Sequence, residues 1–173
     1  MMNIKELSKE IQEEHEFWMK EAIKQAHKAQ ALGEVPIGAV VVKDGQMIGQ
    51  AYNLRETAHR ATAHAELLAI EDANKNFGAW RLEGASLYVT LEPCPMCAGA
   101  IINARIKDLI YGAQDPKAGC VGSLYNLLED SRFNHQVQVI YNVLSDETGG
   151  LLSDFFKDLR TKKKKQRIYP QEK

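Results

Sequence analysis

Two short segments of the chain carry side chains that can hold a catalytic metal ion. One is H-A-E, which begins at His64, and the other is P-C-P-M-C, which contains Cys94 and Cys97. Together they supply one nitrogen and two sulfur ligands, the donor set of a zinc site that keeps its fourth position open for water. A structural zinc site would normally have a fourth cysteine or histidine. The two segments therefore predict metal-assisted hydrolysis, with Glu66 next to the metal but not bound to it.

The sequence around the three candidate ligands favours helix N-termini. Pro95 suits the first position of a helix, where its missing N–H costs no hydrogen bond. Cys94 then lies at the N-cap and Cys97 in the first turn, where the helix dipole favours the thiolate that zinc requires. His64 likewise precedes an apolar-periodic run, with Thr62 or a neighbour as the expected cap. We therefore expect two helix N-termini to converge on one ion.

Glu66 has the position of a proton carrier. It lies two residues after His64, so it projects from the same turn at a different angle. Because zinc lowers the pKa of its water from about 15.7 to about 7, Glu66 can take that proton at neutral pH and return it to a ring nitrogen and a leaving amine. H-x-E followed by P-C-x-x-C is typical of zinc deaminases that act on nucleobases. A redox pair, a structural zinc knuckle or a core histidine explains one segment alone but not both together.

The composition excludes several classes of protein. A chain of 173 residues, with 45% apolar and 26% charged residues, fits one globular domain, which we expect to span residues 1–173. No apolar run approaches the roughly 20 residues of a membrane span, and the N-terminus lacks the apolar core of a signal peptide. Two of the three cysteines form a metal-type pair, which favours a reducing compartment. We therefore expect a cytoplasmic enzyme, with no role assigned to Cys120.

Charge is distributed unevenly, although the net charge is only −1. Residues 1–16 form an acidic N-terminal extension that carries −3, and residues 160–173 form a basic C-terminal tail that carries +6. Four consecutive lysines, 162–165, and Arg167 make the tail a local patch for a polyanion. The alternative is a solvated tail that only aids solubility. Its position after a helix, in an enzyme that modifies bases, favours nucleic acid.

Helices and strands alternate along the chain. We predict strands at residues 37–43, 47–53, 86–91, 109–113 and 136–143, and helices at 19–33, 64–76, 95–104 and from Ser145 onward. A thin apolar stripe predicts a short helix within residues 4–14, a short helical piece is expected at 124–128, and Asp44-Gly45 predicts a hairpin turn. The fold class is then α/β, a three-layer α/β/α sandwich with a five-stranded mixed sheet. The metal lies at the carboxyl end of a strand, where ligands bind in such sheets.

Several further segments narrow the family. They are E-V-P-I-G-A-V from Glu34, T-A-H-A-E from Thr62, L-Y-V-T-L-E-P-C-P-M-C-A-G-A-I from Leu87, R-I from Arg105, Y-G-A from Tyr111, G-S-L from Gly122 and L-L-S-D-F-F from Leu151. With these segments, residues 17–160 resemble the bacterial tRNA adenosine deaminases of the cytidine-deaminase-like superfamily. The zinc motif alone would not separate this family from its relatives, whereas the later segments do.

The resemblance implies the chemistry and the partners. It implies one Zn²⁺ per chain on His64, Cys94 and Cys97, Glu66 as general acid and base, a tRNA anticodon stem-loop as partner, and a homodimer without membrane association. The implied reaction is hydrolysis of adenosine to inosine at the wobble position of tRNA. The alternatives are a guanine deaminase, which shares H-A-E and P-C-P-M-C, another nucleoside or nucleotide deaminase, and an inactive zinc-stabilised RNA-binding module. Glu66 argues against the last, because a structural site has no use for that carboxylate.

Five substrate contacts are also implied by the resemblance. Asn53 would hydrogen-bond the edge of the flipped base, the backbone N–H of Ala65 would lie near the base, and Asp115 would lie over the ribose. Phe156 and Arg160 would face the anticodon loop, one stacking on a base and the other meeting a phosphate. Without the resemblance, Asn53 is a turn residue, Asp115 a loop acid and Phe156 a core residue.

Two features depart from the family's pattern. The acidic extension is longer than expected. In addition, a proline at position 116 restricts the backbone of Asp115, which bears on the conformation of that loop and not on the chemistry.

Overall fold

A computed structural model describes residues 1–168 of the chain, including side chains through residue 164, and shows a six-stranded sheet between two layers of helices. The strands are β1 (Met2–Asn3), β2 (Gly38–Lys43), β3 (Gln46–Tyr52), β4 (Ser86–Leu91), β5 (Asp108–Ala113) and β6 (Gln138–Tyr141). The helices are α1 (Lys9–Ala31), α2 (Ala65–Phe77), α3 (Pro95–Asn103) and α4 (Ser145–Ile168). No helix among the described residues is long and apolar enough to cross a membrane.

The sheet is mixed, in the order β1-β6-β5-β4-β2-β3. Its β4–β5, β5–β6 and β1–β6 pairs are parallel, whereas β2 is antiparallel to both of its neighbours. Alternate residues of a strand point to opposite faces. Ala39 and Val41 of β2 thus join the buried cluster that contains α2 and α3, while Val40 and Val42 join the cluster of α1. This alternation produces the predicted three layers.

Helix α2 packs directly against β3. A Cβ atom on Gly49 of β3 would lie 2.5 Å from the carbonyl oxygen of Ala69, so only glycine allows this approach. Ala69 and Ala73 are fully buried on the helix face that meets the strand. Because the helix is fixed to the sheet in this way, the N-terminus of α2 has a defined place at the sheet edge.

The N-terminal residues differ from the prediction. The sheet has six strands, not five, because Met2 and Asn3 pair with Ile140 and Tyr141 of β6. The separate helix expected within residues 4–14 is wrong: Ile4–Glu6 is a single 3-10 turn, and α1 already begins at Lys9. Apolar spacing could not separate one long helix from two short ones here. The acidic stretch therefore continues into α1.

Two other elements are shorter or absent. Residues 124–128 are not helical, since Val121 and Asn126 form an isolated antiparallel bridge around Gly122, whose φ is 133°. The last strand covers only Gln138–Tyr141, because the backbone of Asn142 turns to a positive φ of 66°. The hairpin turn at residues 44–45 is confirmed, with φ of 51° and 71° as a type I′ turn requires.

Candidate metal centre and substrate site

The three candidate ligands lie at the N-termini of α2 and α3. Cys94 is the N-cap of α3 and is followed by a proline at the first helical position, as predicted, so Cys97 lies in the first turn. His64 is the N-cap of α2, and its side chain makes no capping hydrogen bond. Of the expected caps, Thr62 or a neighbour, the N-cap is the neighbour His64 and not Thr62. A histidine at the N-cap leaves its ring free to face the two sulfurs.

The donor atoms have the separations of a tetrahedral metal site. Nδ1 of His64 lies 3.7 Å from Sγ of Cys94 and 3.6 Å from Sγ of Cys97, and the two sulfurs are 3.6 Å apart. Zn–S bonds of about 2.3 Å and Zn–N bonds of about 2.0–2.1 Å place neighbouring ligands about 3.6–3.8 Å apart. A disulfide would need about 2.05 Å, so the thiols are free. The residues present thus fit a zinc ion.

Electrostatics favour a thiolate in this group. The hydrogen bond from the Cys97 thiol, with a further one from His64, lowers the pKa of Cys94 to about 4 although burial opposes the change. The same shared hydrogen bond raises the pKa of Cys97, and the hydrogen bond with Cys94 raises the pKa of His64. The group therefore carries negative charge on Cys94 at neutral pH, which is what a divalent cation requires.

Glu66 is buried beside this group without belonging to it. Its side chain is 4% exposed, and among the described residues the cluster of potential ligand atoms within 4.8 Å contains only the histidine and the two cysteines. Burial raises the pKa of the Glu66 carboxyl to about 7. A carboxyl group with a pKa near the working pH both accepts and donates a proton efficiently. Its position in the first turn of α2 is the one expected from the H-x-E spacing.

Asn53 follows β3 and has a fixed orientation. Its side chain is 4% exposed, and Nδ2 donates to Oε2 of Glu34 at 3.1 Å. Glu34 is itself 1% exposed and also accepts from the backbone N–H of Thr57 at 2.5 Å. The backbone N–H of Leu54 donates to the carbonyl of Ala63, so the segment after Asn53 returns to the residue before His64. Asn53 is therefore not a free turn residue but a buried amide close to the metal centre.

Asp115 lies in the loop after β5. Its Oδ1 accepts from the backbone N–H groups of Lys117 and Ala118, at 2.9 and 3.2 Å, so the aspartate stabilises the turn that contains the proline at position 116. Its own backbone N–H donates to Oε2 of Glu92 at 3.0 Å. The loop reaches the metal centre through Cys120, whose N–H donates to the carbonyl of residue 93. Ala65, the remaining predicted contact of this region, is fully buried at the start of α2.

Phe156 and Arg160 lie apart from these loops, on α4. Phe156 is 42% exposed and meets the Phe155 ring edge-on at 5.4 Å, so it is not a core residue. Arg160 is exposed one turn further along the helix, which continues through Lys162, Lys163 and Lys164. Of the basic tail, the side chains of residues 165–168 and all of residues 169–173 lie outside the described part of the chain.

Sequence reasoning gave no role to two buried acids, Glu34 and Glu92. Both appeared within the segments that identify the family, yet only as letters of a pattern. Glu92 directly follows the buried strand β4, and Glu34 lies four residues before the buried strand β2. A carboxylate buried at such a place is stable only with several hydrogen-bond donors. An acidic residue close to a buried strand could therefore have identified Glu34 and Glu92 from the sequence, although it does not reveal their hydrogen-bond donors.

Comparisons with known proteins agree with this geometry. Residues 13–160 match the family model described as MafB19-like deaminase. The chain is 60% identical over 149 residues to a tRNA-specific adenosine deaminase of Bacillus subtilis strain 168, covering 86% of this chain and 92% of the relative.

Solved structures show the same relationship. One from a study of A-to-I editing by tRNA deaminases at the wobble position of transfer RNA has a TM-score of 0.76 and 43% identity, covering 79% of this chain and 99% of that chain. The guanine deaminase of Bacillus subtilis is 44% identical with a TM-score of 0.55, over 58% of this chain and 64% of that chain. The architecture, the spacing of the donor atoms and these similarities show that the chain belongs to the family of tRNA-specific adenosine deaminases.

Proposed function

We propose that this chain is a zinc-dependent enzyme that converts adenosine to inosine at the wobble position of a tRNA anticodon stem-loop. The observation that carries the chemistry is the buried Glu66 next to a three-donor group with tetrahedral spacing. The substrate class is supported by the relative that is 60% identical over most of both chains. Guanine deamination is the second candidate, because a guanine deaminase shares 44% identity over part of the chain.

Each residue of the site has a defined task in this reaction. His64, Cys94 and Cys97 would hold the zinc ion, which when bound lowers the pKa of a water molecule from about 15.7 to about 7. Glu66 accepts a proton from the attacking water and delivers it to the ring nitrogen of adenine, where it stays in the product. It then takes the second proton, from the hydroxyl added to the ring carbon, and delivers it to the amine, which leaves as ammonia when the C–N bond breaks. The products are inosine and ammonia.

Other side chains hold the RNA. Asn53 presents a fixed amide to the edge of the extruded base, beside the backbone N–H of Ala65. Asp115 borders the ribose. Phe156 offers an exposed ring for stacking, and Arg160 with the following lysines offers positive charge to phosphates. With these contacts the site would bind a base that is part of an anticodon loop, and not only a free base.

Two properties of the whole molecule accompany the proposal. The chain acts as a homodimer, as expected from the family resemblance, which light scattering coupled to gel filtration would test. It acts in the cytoplasm, because two free zinc-binding thiols and a tRNA substrate fit a reducing compartment.

The test uses the purified, zinc-loaded protein and an anticodon stem-loop with adenosine at the wobble position. Nuclease digestion and mass spectrometry measure inosine, with free guanine, adenosine and cytidine assayed in parallel. Inosine in the stem-loop, with the free compounds unchanged, is the expected result. Conversion of guanine to xanthine with an unchanged stem-loop would overturn the tRNA substrate while keeping the zinc chemistry.

A further inference from the structure

Glu92 is a buried acid between the metal centre and a substrate loop. It directly follows β4, lies two residues before Cys94 and is only 2% exposed. The salt bridges of the described residues do not include it. A buried carboxylate without a cationic partner needs hydrogen-bond donors, and these come from one loop.

The donors belong to residues 115–123, which we call the Glu92 loop. Oε2 of Glu92 accepts from the backbone N–H of Asp115 at 3.0 Å and from the hydroxyl of Ser123. Oε1 accepts from the backbone N–H groups of Val121 and Ser123, both at 3.0 Å. Both ends of the loop are thus bound to one carboxylate.

The loop also fits closely around this carboxylate. A Cβ atom on Gly119 would lie 2.3 Å from Cδ of Glu92, so any larger residue at this position would displace the carboxylate or the loop. The next residue, Cys120, donates its N–H to the carbonyl oxygen of Pro93 at 2.9 Å. Residues 92–94 therefore bind the loop twice, through the side chain of Glu92 and the backbone carbonyl of Pro93. The same three residues end in the metal ligand Cys94.

We propose that Glu92 is a positioning residue that sets the place of Asp115 relative to the metal centre. Both carboxylate oxygens already accept hydrogen bonds, so Glu92 is not available to carry protons in the reaction. It acts through the loop: the carboxylate holds the backbone N–H of Asp115 at the carboxyl end of β4, two residues before the metal ligand Cys94. This inference rests on the proposed function only in assigning Asp115 to the substrate.

The test compares Glu92→Gln with the wild type. Glutamine retains the shape but replaces one acceptor oxygen by an NH₂ group, which would face N–H or O–H donors of the loop. Ser123→Ala is the matched control, because it removes the one side-chain donor and keeps the three backbone ones. Gly119→Ala, which pushes on the loop while the Glu92 side chain is retained, is the second variant if Glu92→Gln fails to fold.

Three measurements are made on the zinc-loaded proteins: zinc content, amide hydrogen exchange of residues 115–123, and steady-state kinetics with the anticodon stem-loop. For Glu92→Gln we expect unchanged zinc content and exchange at Val121 and Ser123 faster by about tenfold or more. We also expect kcat/KM to fall by about tenfold or more, mainly through KM. Ser123→Ala should show smaller changes in the same directions.

Unchanged exchange in Glu92→Gln would overturn the proposal, and so would faster exchange without a change in kcat/KM. Loss of zinc together with activity would also overturn it, since Glu92 would then serve the metal ligands and not the loop. If the wild type makes no inosine, the proposed function fails, while hydrogen exchange still tests whether Glu92 holds the loop.

Discussion

The metal centre is assembled from two short segments, whereas the loops beside it are fixed by carboxylates distant from them in the sequence. The positions of Cys94 and Cys97 are fixed by the N-cap and the first turn of α3, and the position of His64 is fixed because it is the N-cap of α2. In contrast, Asn53 is held by an acid 19 residues before it and Asp115 by an acid 23 residues before it. The chemical step and the fit of the substrate thus depend on different residues and should fail separately.

The largest effect is expected for Glu66→Gln. Glutamine keeps the size of the side chain but cannot carry a proton, so inosine formation should fall by about 10²- to 10⁴-fold. Zinc content and stem-loop affinity should remain at the wild-type level, because Glu66 is not one of the clustered ligands. Single-turnover kinetics, metal analysis and a binding titration measure these quantities.

The matched control is Glu71→Gln, an exposed acid on the same helix, which should behave as wild type. Retained turnover in Glu66→Gln would show that another group carries the proton. Loss of zinc would show that Glu66 supports the metal centre itself and would remove the proposed separation between ligands and proton carrier.

A smaller and different effect is expected for Glu34→Gln. The variant replaces an oxygen that accepts from Asn53 or from the backbone of Thr57, so the Asn53 amide loses its fixed orientation. We expect kcat/KM for the stem-loop to fall by about tenfold, with unchanged zinc content. Steady-state kinetics over a range of stem-loop concentrations, with metal analysis, measure both.

Glu56→Gln is the control, because Glu56 directly precedes Thr57 and its exposed side chain bonds to Arg55 and to no other side chain of the described residues. If Glu34→Gln instead lost zinc, the metal centre would depend on the segment that carries Asn53, and the proposed independence of the two regions would be wrong.

The same contrast explains what could be predicted from the sequence. The ligands could be predicted because two helix N-termini and a C-x-x-C spacing are local patterns. The roles of Glu34 and Glu92 could not, because most of their partners are backbone N–H groups, which every residue except proline has. The pairing of Met2 with Ile140 could not be predicted either, because it joins backbone groups of residues that are far apart in the sequence. The apolar side chains of residues 124–128 have helical spacing, yet the backbone is not helical there, because Asn126 pairs with Val121 in an antiparallel bridge.

The α4 helix should affect affinity more than chemistry. Arg160→Ala removes one exposed positive charge, so we expect the dissociation constant for the stem-loop to rise a few-fold while the single-turnover rate at saturation is unchanged. The slope of log K against log salt should decrease by about 0.7–0.9 if the residue meets one phosphate. Lys75→Ala, an exposed basic residue on α2 across the sheet, is the control. An unchanged slope in Arg160→Ala would exclude the phosphate contact.

The smallest effect concerns His15, which lies on the face of the sheet opposite α2 and α3. Its Nδ1 is 3.0 Å from the hydroxyl of Tyr88 on β4, and burial lowers the pKa of His15 although Glu14 and Asp108 oppose the change. Since the folded state prefers the neutral ring, its contribution to stability is present above the unfolded pKa of about 6.5 and is lost as pH falls through the lower folded value.

Thermal unfolding between pH 7.5 and pH 5 therefore tests whether this layer is independent of the site. The wild type should lose more stability over this range than His15→Gln, by a few degrees at most, whereas the exposed His27→Gln on the same helix should follow the wild type. Zinc content and turnover at pH 7.5 should be the same in all three proteins, because the ring contacts β4 from the side that does not present Cys94. A change in turnover there would mean that the layer of α1 controls the metal centre through β4.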